Sequence, residues 1–226
     1  MRVRALFAAA VVAAACVLTG TTVTGQPATA QAQDCARPQG PMVAYGHSYL
    51  HSPEIGGANA SYATLAATAL RVKPVIRAVN GGTTLDVDAL VHKGATKWVP
   101  GSADLVLIDS AINDIEQKLP TKQWTTALRH TLSAFSTAPV PMILLVEPLQ
   151  VSAAGHPGRD PKVIAAYAAA QRKVASEFDA VRIVDAHSGW VPRLDLSTDG
   201  IHPNAVGMLH LARAVRSTAI RSSCSP

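Results

Sequence analysis

The run Asp104-Leu-Val-Leu-Ile-Asp109 places four apolar residues between two acids and leads into Ser110-Ala111-Ile112-Asn113-Asp114. A short apolar run between polar residues is typical of a strand buried on both faces of a sheet. The polar residues that follow then lie where the strand ends. This stretch therefore predicts a buried strand that delivers Asn113 to an edge of a sheet.

Four other short apolar runs resemble this one, and helical patterns separate them. The predicted strands cover residues 42–45, 75–79, 104–109, 141–147 and 181–185. The predicted helices cover residues 61–71, 85–92, 121–135, 162–178 and 203–221. Such alternation is typical of an α/β fold, so we expect a three-layer α/β/α sandwich with a central five-stranded parallel sheet, as in flavodoxin-like folds.

The last predicted helix should begin at Pro203. Proline suits the first position of a helix because its missing N–H would have no partner there. The apolar residues expected along one side of it are Val206, Leu209, Ala212 and Val215.

The N-terminus has the pattern of a secretory signal peptide. Arg2 and Arg4 precede an apolar run over residues 6–18, and small residues follow it. We expect cleavage after Ala32, with Ala30 as the alternative, which makes residues 1–32 the signal peptide and residues 33–226 a single domain. A retained membrane anchor is the other interpretation, but the run is shorter than the roughly 20 residues that a spanning helix needs.

Charge and cysteine content restrict the partners and the compartment. The net charge of +5 falls to about +3 without Arg2 and Arg4, and the remaining basic residues are scattered. We therefore expect no nucleic-acid partner and no stable membrane insertion of the mature chain. Cys35 and Cys224 survive cleavage and should form a disulfide in an oxidising compartment, either outside the cell or in its envelope.

Polar residues follow several of the predicted strands. In open α/β sheets, ligands bind outside the carboxyl ends of the strands. The segments expected to converge there are Ser48, Asn80-Gly81-Gly82, Asn113, and Asp199 with His202.

These side chains can form a nucleophilic catalytic site. A serine hydroxyl needs a base to remove its proton, and His202 can be that base if Asp199 orients it. The Ser48 N–H, a glycine N–H from Gly81 or Gly82 and the Asn113 amide can bind an oxyanion. Ser52 is a rival nucleophile, and His187 is an alternative base.

Four motifs in this order resemble the SGNH hydrolase superfamily, also called GDSL-like esterases and lipases. The matching segments are Gly46-His47-Ser48, Gly81 or Gly82, Ala111-Ile112-Asn113-Asp114 and Asp199 to Pro203. The resemblance spans residues 42–214. It implies the α/β/α fold, catalytic Ser48, Asp199 and His202, and an oxyanion hole formed by Ser48, Gly82 or Gly81, and Asn113. His47 and Ala111 depart from the aspartate and glycine that the family usually has.

The resemblance implies a secreted serine esterase that cleaves small-molecule, lipid or glycan carboxylic esters without a cofactor. An O-acyltransferase using the same serine, or an exported binding domain without activity, are the alternatives. His47 and His51 are four residues apart, but no clear third ligand accompanies them, so we expect no metal. The sequence does not indicate an oligomeric state.

Overall fold

The computed structural model describes residues 38–51 and 55–224. Five parallel strands form one sheet with the order β2-β1-β3-β4-β5. The strands are β1 (Met42–Gly46), β2 (Pro74–Ala78), β3 (Leu105–Asp109), β4 (Met142–Val146) and β5 (Val181–Val184). The expected five-stranded parallel sheet is therefore confirmed.

Eight α-helices connect or extend these strands within the described residues. They are α1 (Ser48–His51), α2 (Tyr62–Leu70), α3 (Thr84–His92), α4 (Ile112–Glu116), α5 (Thr121–Ser133), α6 (Pro161–Ala175), α7 (Pro192–Asp195) and α8 (Ala205–Ser223). None of them is both long and apolar enough to cross a membrane. The predicted signal peptide and Cys35 lie outside the described residues, so the cleavage site and the bridge to Cys224 stay predictions.

Alternation along each strand divides the core between the two faces of the sheet. Met42 and Ala44 pack on one face with α2 and α8, whereas Val43 and Tyr45 pack on the other with α3, α5 and α6. Side chains of successive strand residues point to opposite faces, so a strand covered on both sides is apolar throughout. This packing confirms the α/β/α layers and leaves the carboxyl ends of the strands to the loops.

The start of α8 differs from the prediction. Pro203 pairs with Leu196 in an isolated bridge, and the helix begins at Ala205. The Asn204 side chain accepts hydrogen bonds from the N–H groups of Val206 and Gly207 at 2.8 and 3.1 Å. Asn204 thus caps the helix by satisfying two N–H groups of the first turn that have no partner within the helix.

The apolar side predicted for α8 is buried only in part. Val206 and Leu209 are 59% and 48% exposed, and Met208 and Leu211 are buried instead. A Cβ atom on Gly207 would lie 2.1 Å from the Asp195 carbonyl oxygen, so the helix turns this glycine toward α7. That close approach rotates Val206 and Leu209 outward.

Candidate active site

Ser48 lies at the first position of α1, directly beyond the carboxyl end of β1. Its side chain is largely covered, with 7% of the residue exposed. Gly46 makes this turn possible, because a Cβ atom there would lie 2.8 Å from Leu50 Cδ1 and 2.9 Å from the Asp109 carbonyl oxygen. The chain therefore passes close to β3 and then presents Ser48 above the sheet edge.

Asp199 and His202 form a close pair on the loop before α8. His202 Nδ1 lies 2.6 Å from Asp199 Oδ2. The other carboxylate oxygen accepts hydrogen bonds from the Ser197 hydroxyl and from the N–H groups of Ile201 and His202, at 2.8 to 2.9 Å. A carboxylate in this position holds the imidazole in one orientation and leaves Nε2 for another partner.

The same hydrogen bonds control the ionisation of Asp199. Partial burial acts to raise its pKa, but the donors from Ile201, His202 and Ser197 outweigh that effect and lower the pKa to about 2. An aspartate in an unfolded chain has a pKa near 3.9. The ionised carboxylate therefore stabilises the fold above about pH 4, and this contribution is lost as the pH falls through about 2.

The loop after β4 fixes the Asp199–His202 loop in place. The N–H groups of Ser152 and Ala153 donate to the Gly200 carbonyl at 2.8 and 3.0 Å. Gly200 has a φ of +69°, and a Cβ atom there would lie 2.7 Å from the Ala153 nitrogen. Both the positive φ and the close approach require glycine.

Tyr49 joins the nucleophile helix to the loop that carries His202. Its hydroxyl donates to the Ile201 carbonyl at 2.7 Å. Its ring centroid lies 6.0 Å from that of His202 in an edge contact, and the residue is 4% exposed. The neighbour of Ser48 thus packs against His202, so the structure brings the predicted nucleophile and base segments together.

Replacing Tyr49 with phenylalanine removes one hydroxyl and keeps the ring. We expect kcat for ester hydrolysis to fall about fivefold with little change in KM, because one hydrogen bond of about 1 kcal/mol no longer holds the His202 loop. Steady-state kinetics of the purified variant measure both constants.

Tyr45→Phe is the matched control. The Tyr45 hydroxyl also donates to a backbone carbonyl, that of Thr96 at 3.0 Å, but on the opposite face of the sheet. The Tyr45 hydroxyl also accepts from Arg77, so this variant should lose at least as much stability, and it should retain kcat. Equal effects of the two variants on kcat would show that Tyr49 stabilises the fold without positioning His202.

Asn113 lies at the carboxyl end of β3 and contacts the turn after β2. Its Nδ2 donates to the Gly82 carbonyl at 2.8 Å, and the residue is 7% exposed. The Gly82 N–H donates to the Val79 carbonyl at 3.0 Å, whereas Gly81 has a φ of +70°. One amide hydrogen of Asn113 is thus bound to the turn, and a second remains for another acceptor.

Asp114 ties the same two segments together. Its buried carboxylate accepts from the Thr84 N–H and hydroxyl at 3.0 Å and from the Ala111 N–H at 3.1 Å. Burial raises the pKa of this carboxyl, although these donors oppose the rise. Ala111 has a φ of +88°, a backbone conformation in which glycine is unstrained. This explains why the family motif that the segment resembles usually has glycine at this position.

His47 faces a buried acid beneath the nucleophile. Its Nε2 lies 3.2 Å from Asp109 Oδ1, and the other oxygen of Asp109 accepts from the Tyr62 hydroxyl at 2.7 Å. His47 is 1% exposed, whereas His51 is exposed at the end of α1. The two histidines therefore lie in different environments, one buried beside Asp109 and one exposed.

The alternative base His187 contacts two other acids. The N–H of His187 donates to Asp185, and its Nε2 lies 3.7 Å from Glu147. Ser52 lies outside the described residues. Sequence reasoning missed Tyr49 and Asp109, although Asp109 ends an apolar strand, which is the signal that could have identified it.

The comparisons with known proteins concern the family and the fold. Residues 44–209 match the model of the GDSL-like Lipase/Acylhydrolase family. That range includes Ser48, Asn113, Asp199 and His202. No curated protein sequence matches the chain.

Solved structures share the fold at low identity. A lipase/acylhydrolase from Enterococcus faecalis is 17% identical with a TM-score of 0.64, covering 80% of this chain and 96% of that one. A carbohydrate acetylesterase family member from Sinorhizobium meliloti is 17% identical with a TM-score of 0.61, covering 82% and 99%. These similarities support the same α/β/α arrangement.

Proposed function

This chain belongs to the GDSL-like lipase/acylhydrolase family and is a hydrolase, and from that premise we propose that it cleaves carboxylic esters through an acyl-enzyme on Ser48. The observation that carries the proposal is the Asp199–His202 pair, with Nδ1 and Oδ2 2.6 Å apart, packed against the neighbour of Ser48. A nucleophile, a base and an orienting acid are the parts that this chemistry requires.

The reaction proceeds in two halves. His202 Nε2 accepts the Ser48 hydroxyl proton as Oγ forms a bond to the ester carbonyl carbon. The tetrahedral intermediate then expels the alcohol, which takes the proton from His202, and leaves the acyl group on Ser48. Water attacks that acyl group by the same route, giving the carboxylic acid and free Ser48.

The negative oxygen of the intermediate needs hydrogen-bond donors. We assign the Ser48 N–H, the second amide hydrogen of Asn113 and an N–H of the Gly81–Gly82 turn. Support comes from the bond between Asn113 and the Gly82 carbonyl, which holds the amide against this turn. Donors fixed before the reaction stabilise the developing charge without reorganisation.

Asn113→Ala should lower kcat by roughly 10²–10³-fold, the usual scale for one oxyanion donor. KM should change much less, because the bond strengthens mainly in the transition state. Steady-state kinetics on a nitrophenyl ester measure both constants.

Gln117→Ala is the control for Asn113. Gln117 also donates a side-chain amide to this turn, to the Gly81 carbonyl at 3.4 Å, but from an exposed position. Its loss should leave kcat nearly unchanged. A normal kcat in Asn113→Ala would reduce Asn113 to a turn-stabilising role.

The substrate class is proposed as carboxylic esters with short acyl, lipid or glycan O-acetyl groups. The similar solved structures include both a lipase/acylhydrolase and a carbohydrate acetylesterase family member. Nitrophenyl esters of graded chain length test the proposal, with Ser48→Ala as the blank. Turnover that depends on Ser48 supports an esterase. Absence of turnover across the panel contradicts the proposal. Transfer of the acyl group to an added sugar would indicate an acyltransferase.

We also infer that the protein is exported and acts without a cofactor. The pattern of residues 1–32 supports export, and the two remaining cysteines suit an oxidising compartment. We propose a Cys35–Cys224 bridge on that basis. The bridge would tie the start of the domain to the end of α8.

A further inference from the structure

Asp88, His92 and His130 form a cluster of potential metal ligands between α3 and α5. Asp88 and His92 are four residues apart on α3 and share one face of that helix, and His130 reaches them from α5. One ligand atom from each residue lies within 4.8 Å of the others. We propose that this cluster binds a zinc ion that clamps α3 to α5, apart from the site that contains Ser48.

The distances within the cluster suit a small metal ion. His130 Nδ1 lies 2.9 Å from Asp88 Oδ2, and His92 Nδ1 lies 3.1 Å from Asp88 Oδ1. Zinc bonds of 2.0–2.1 Å in a tetrahedron place neighbouring ligand atoms about 3.3 Å apart. A small outward movement of these groups, together with a rotation of the exposed His130 ring, would therefore admit the ion.

The chemistry of the three groups favours zinc over calcium or magnesium. Two imidazoles and one carboxylate suit zinc and its neighbours in the periodic table, whereas calcium and magnesium prefer oxygen ligands alone. His92 Nδ1 also lies 3.0 Å from the Asp88 backbone carbonyl oxygen, and zinc would replace that contact. Each imidazole would then coordinate through Nδ1 and carry its proton on Nε2.

The surroundings support and expose the cluster. The Thr131 hydroxyl donates to Asp88 Oδ1 at 3.1 Å, the kind of outer hydrogen bond that orients a metal-bound carboxylate. The two imidazole rings are stacked with centroids 4.1 Å apart, so the exposed His130 ring must turn before both Nδ1 atoms can point at one ion. The His130 side chain is 60% exposed, so an ion can reach the cluster from solvent and keep a water as its fourth ligand.

A zinc ion here would stabilise α3, the helix that follows the Gly81–Gly82 turn. α3 begins at Thr84, whose N–H and hydroxyl bond to Asp114, the neighbour of Asn113. An ion that binds only the folded chain raises the unfolding temperature by mass action. The clamp therefore acts on stability and requires no part in ester hydrolysis.

Isothermal titration calorimetry of the full mature chain, free of any affinity tag, with zinc chloride tests the proposal. We expect one zinc ion per chain, with a rise in unfolding temperature. His130→Ala and Asp88→Asn should each weaken zinc binding by at least about 100-fold, because losing an outer-shell partner alone costs 10–100-fold. Circular dichroism checks that both variants are folded.

His187→Ala is the matched control. His187 also lies near a carboxylate, with its Nε2 3.7 Å from Glu147, but no second histidine takes part in that contact. It should bind zinc like the unmodified chain. Absence of saturable zinc binding to the unmodified chain, or equal affinity in His130→Ala, would overturn the proposal. In either case Asp88, His92 and His130 would be a hydrogen-bonded surface cluster only.

Discussion

Replacing Ser48 with alanine is expected to lower ester hydrolysis on the order of 10⁴-fold or more, as the loss of a serine nucleophile does in comparable sites. The substitution removes only the hydroxyl from the first residue of α1, so the fold should survive. Turnover of nitrophenyl butyrate and a circular dichroism spectrum measure the two effects. Loss of turnover with an unchanged spectrum is the expected result.

Ser52→Ala is the control, because Ser52 is the rival nucleophile on the same segment of the chain. It should retain most of the activity. Retained turnover in Ser48→Ala together with an inactive Ser52→Ala would transfer the nucleophile to Ser52.

His202→Ala should lose nearly all activity, because Asp199 orients no other imidazole among the described residues to accept the Ser48 proton. Activity of the unmodified enzyme should fall on acidification, since a protonated imidazole cannot act as the base. Histidine changes its charge between pH 5 and 8, whereas the pKa of Asp199 is about 2. The acid limb of the pH–rate profile therefore belongs to the imidazole, and the carboxylate stays ionised throughout it.

Asp199→Asn and His187→Ala complete this test. Asp199→Asn should lower kcat, because the carboxylate no longer holds the imidazole in one orientation. His187→Ala should retain activity, since His187 contacts Asp185 and Glu147. Near-normal turnover and the same acid limb in His202→Ala would exclude His202 as the base and make His187 the next candidate.

Local sequence predicted the sheet well, because each strand is a short apolar run with polar ends. The predicted strand at 104–109 and the observed strand Leu105–Asp109 differ by one residue. The segments around Ser48, Asn113 and His202 were predicted to meet for a related reason: parallel strands bring their carboxyl ends to one edge. The contact of Tyr49 with His202 agrees with that expectation.

Contacts between residues distant in sequence could not be predicted. Gly207 lies against Asp195, and this contact turns Val206 and Leu209 outward. His47 lies beside Asp109, although 62 positions separate the two residues in the sequence. The cluster around Asp88 is of the same kind, because His130 comes from a different helix. Only the spacing of Asp88 and His92 was visible in the sequence.

Labelling with a fluorophosphonate tests most directly whether Ser48 is the nucleophile. The reagent forms a bond from phosphorus to an activated serine Oγ and releases fluoride. Ser48 and Ser52 fall in the same tryptic peptide, so fragment ions must locate the adduct. The account predicts one adduct per chain, on Ser48, that is absent in His202→Ala; an adduct on Ser52, or labelling of Ser48 that persists at the same rate without His202, would contradict it.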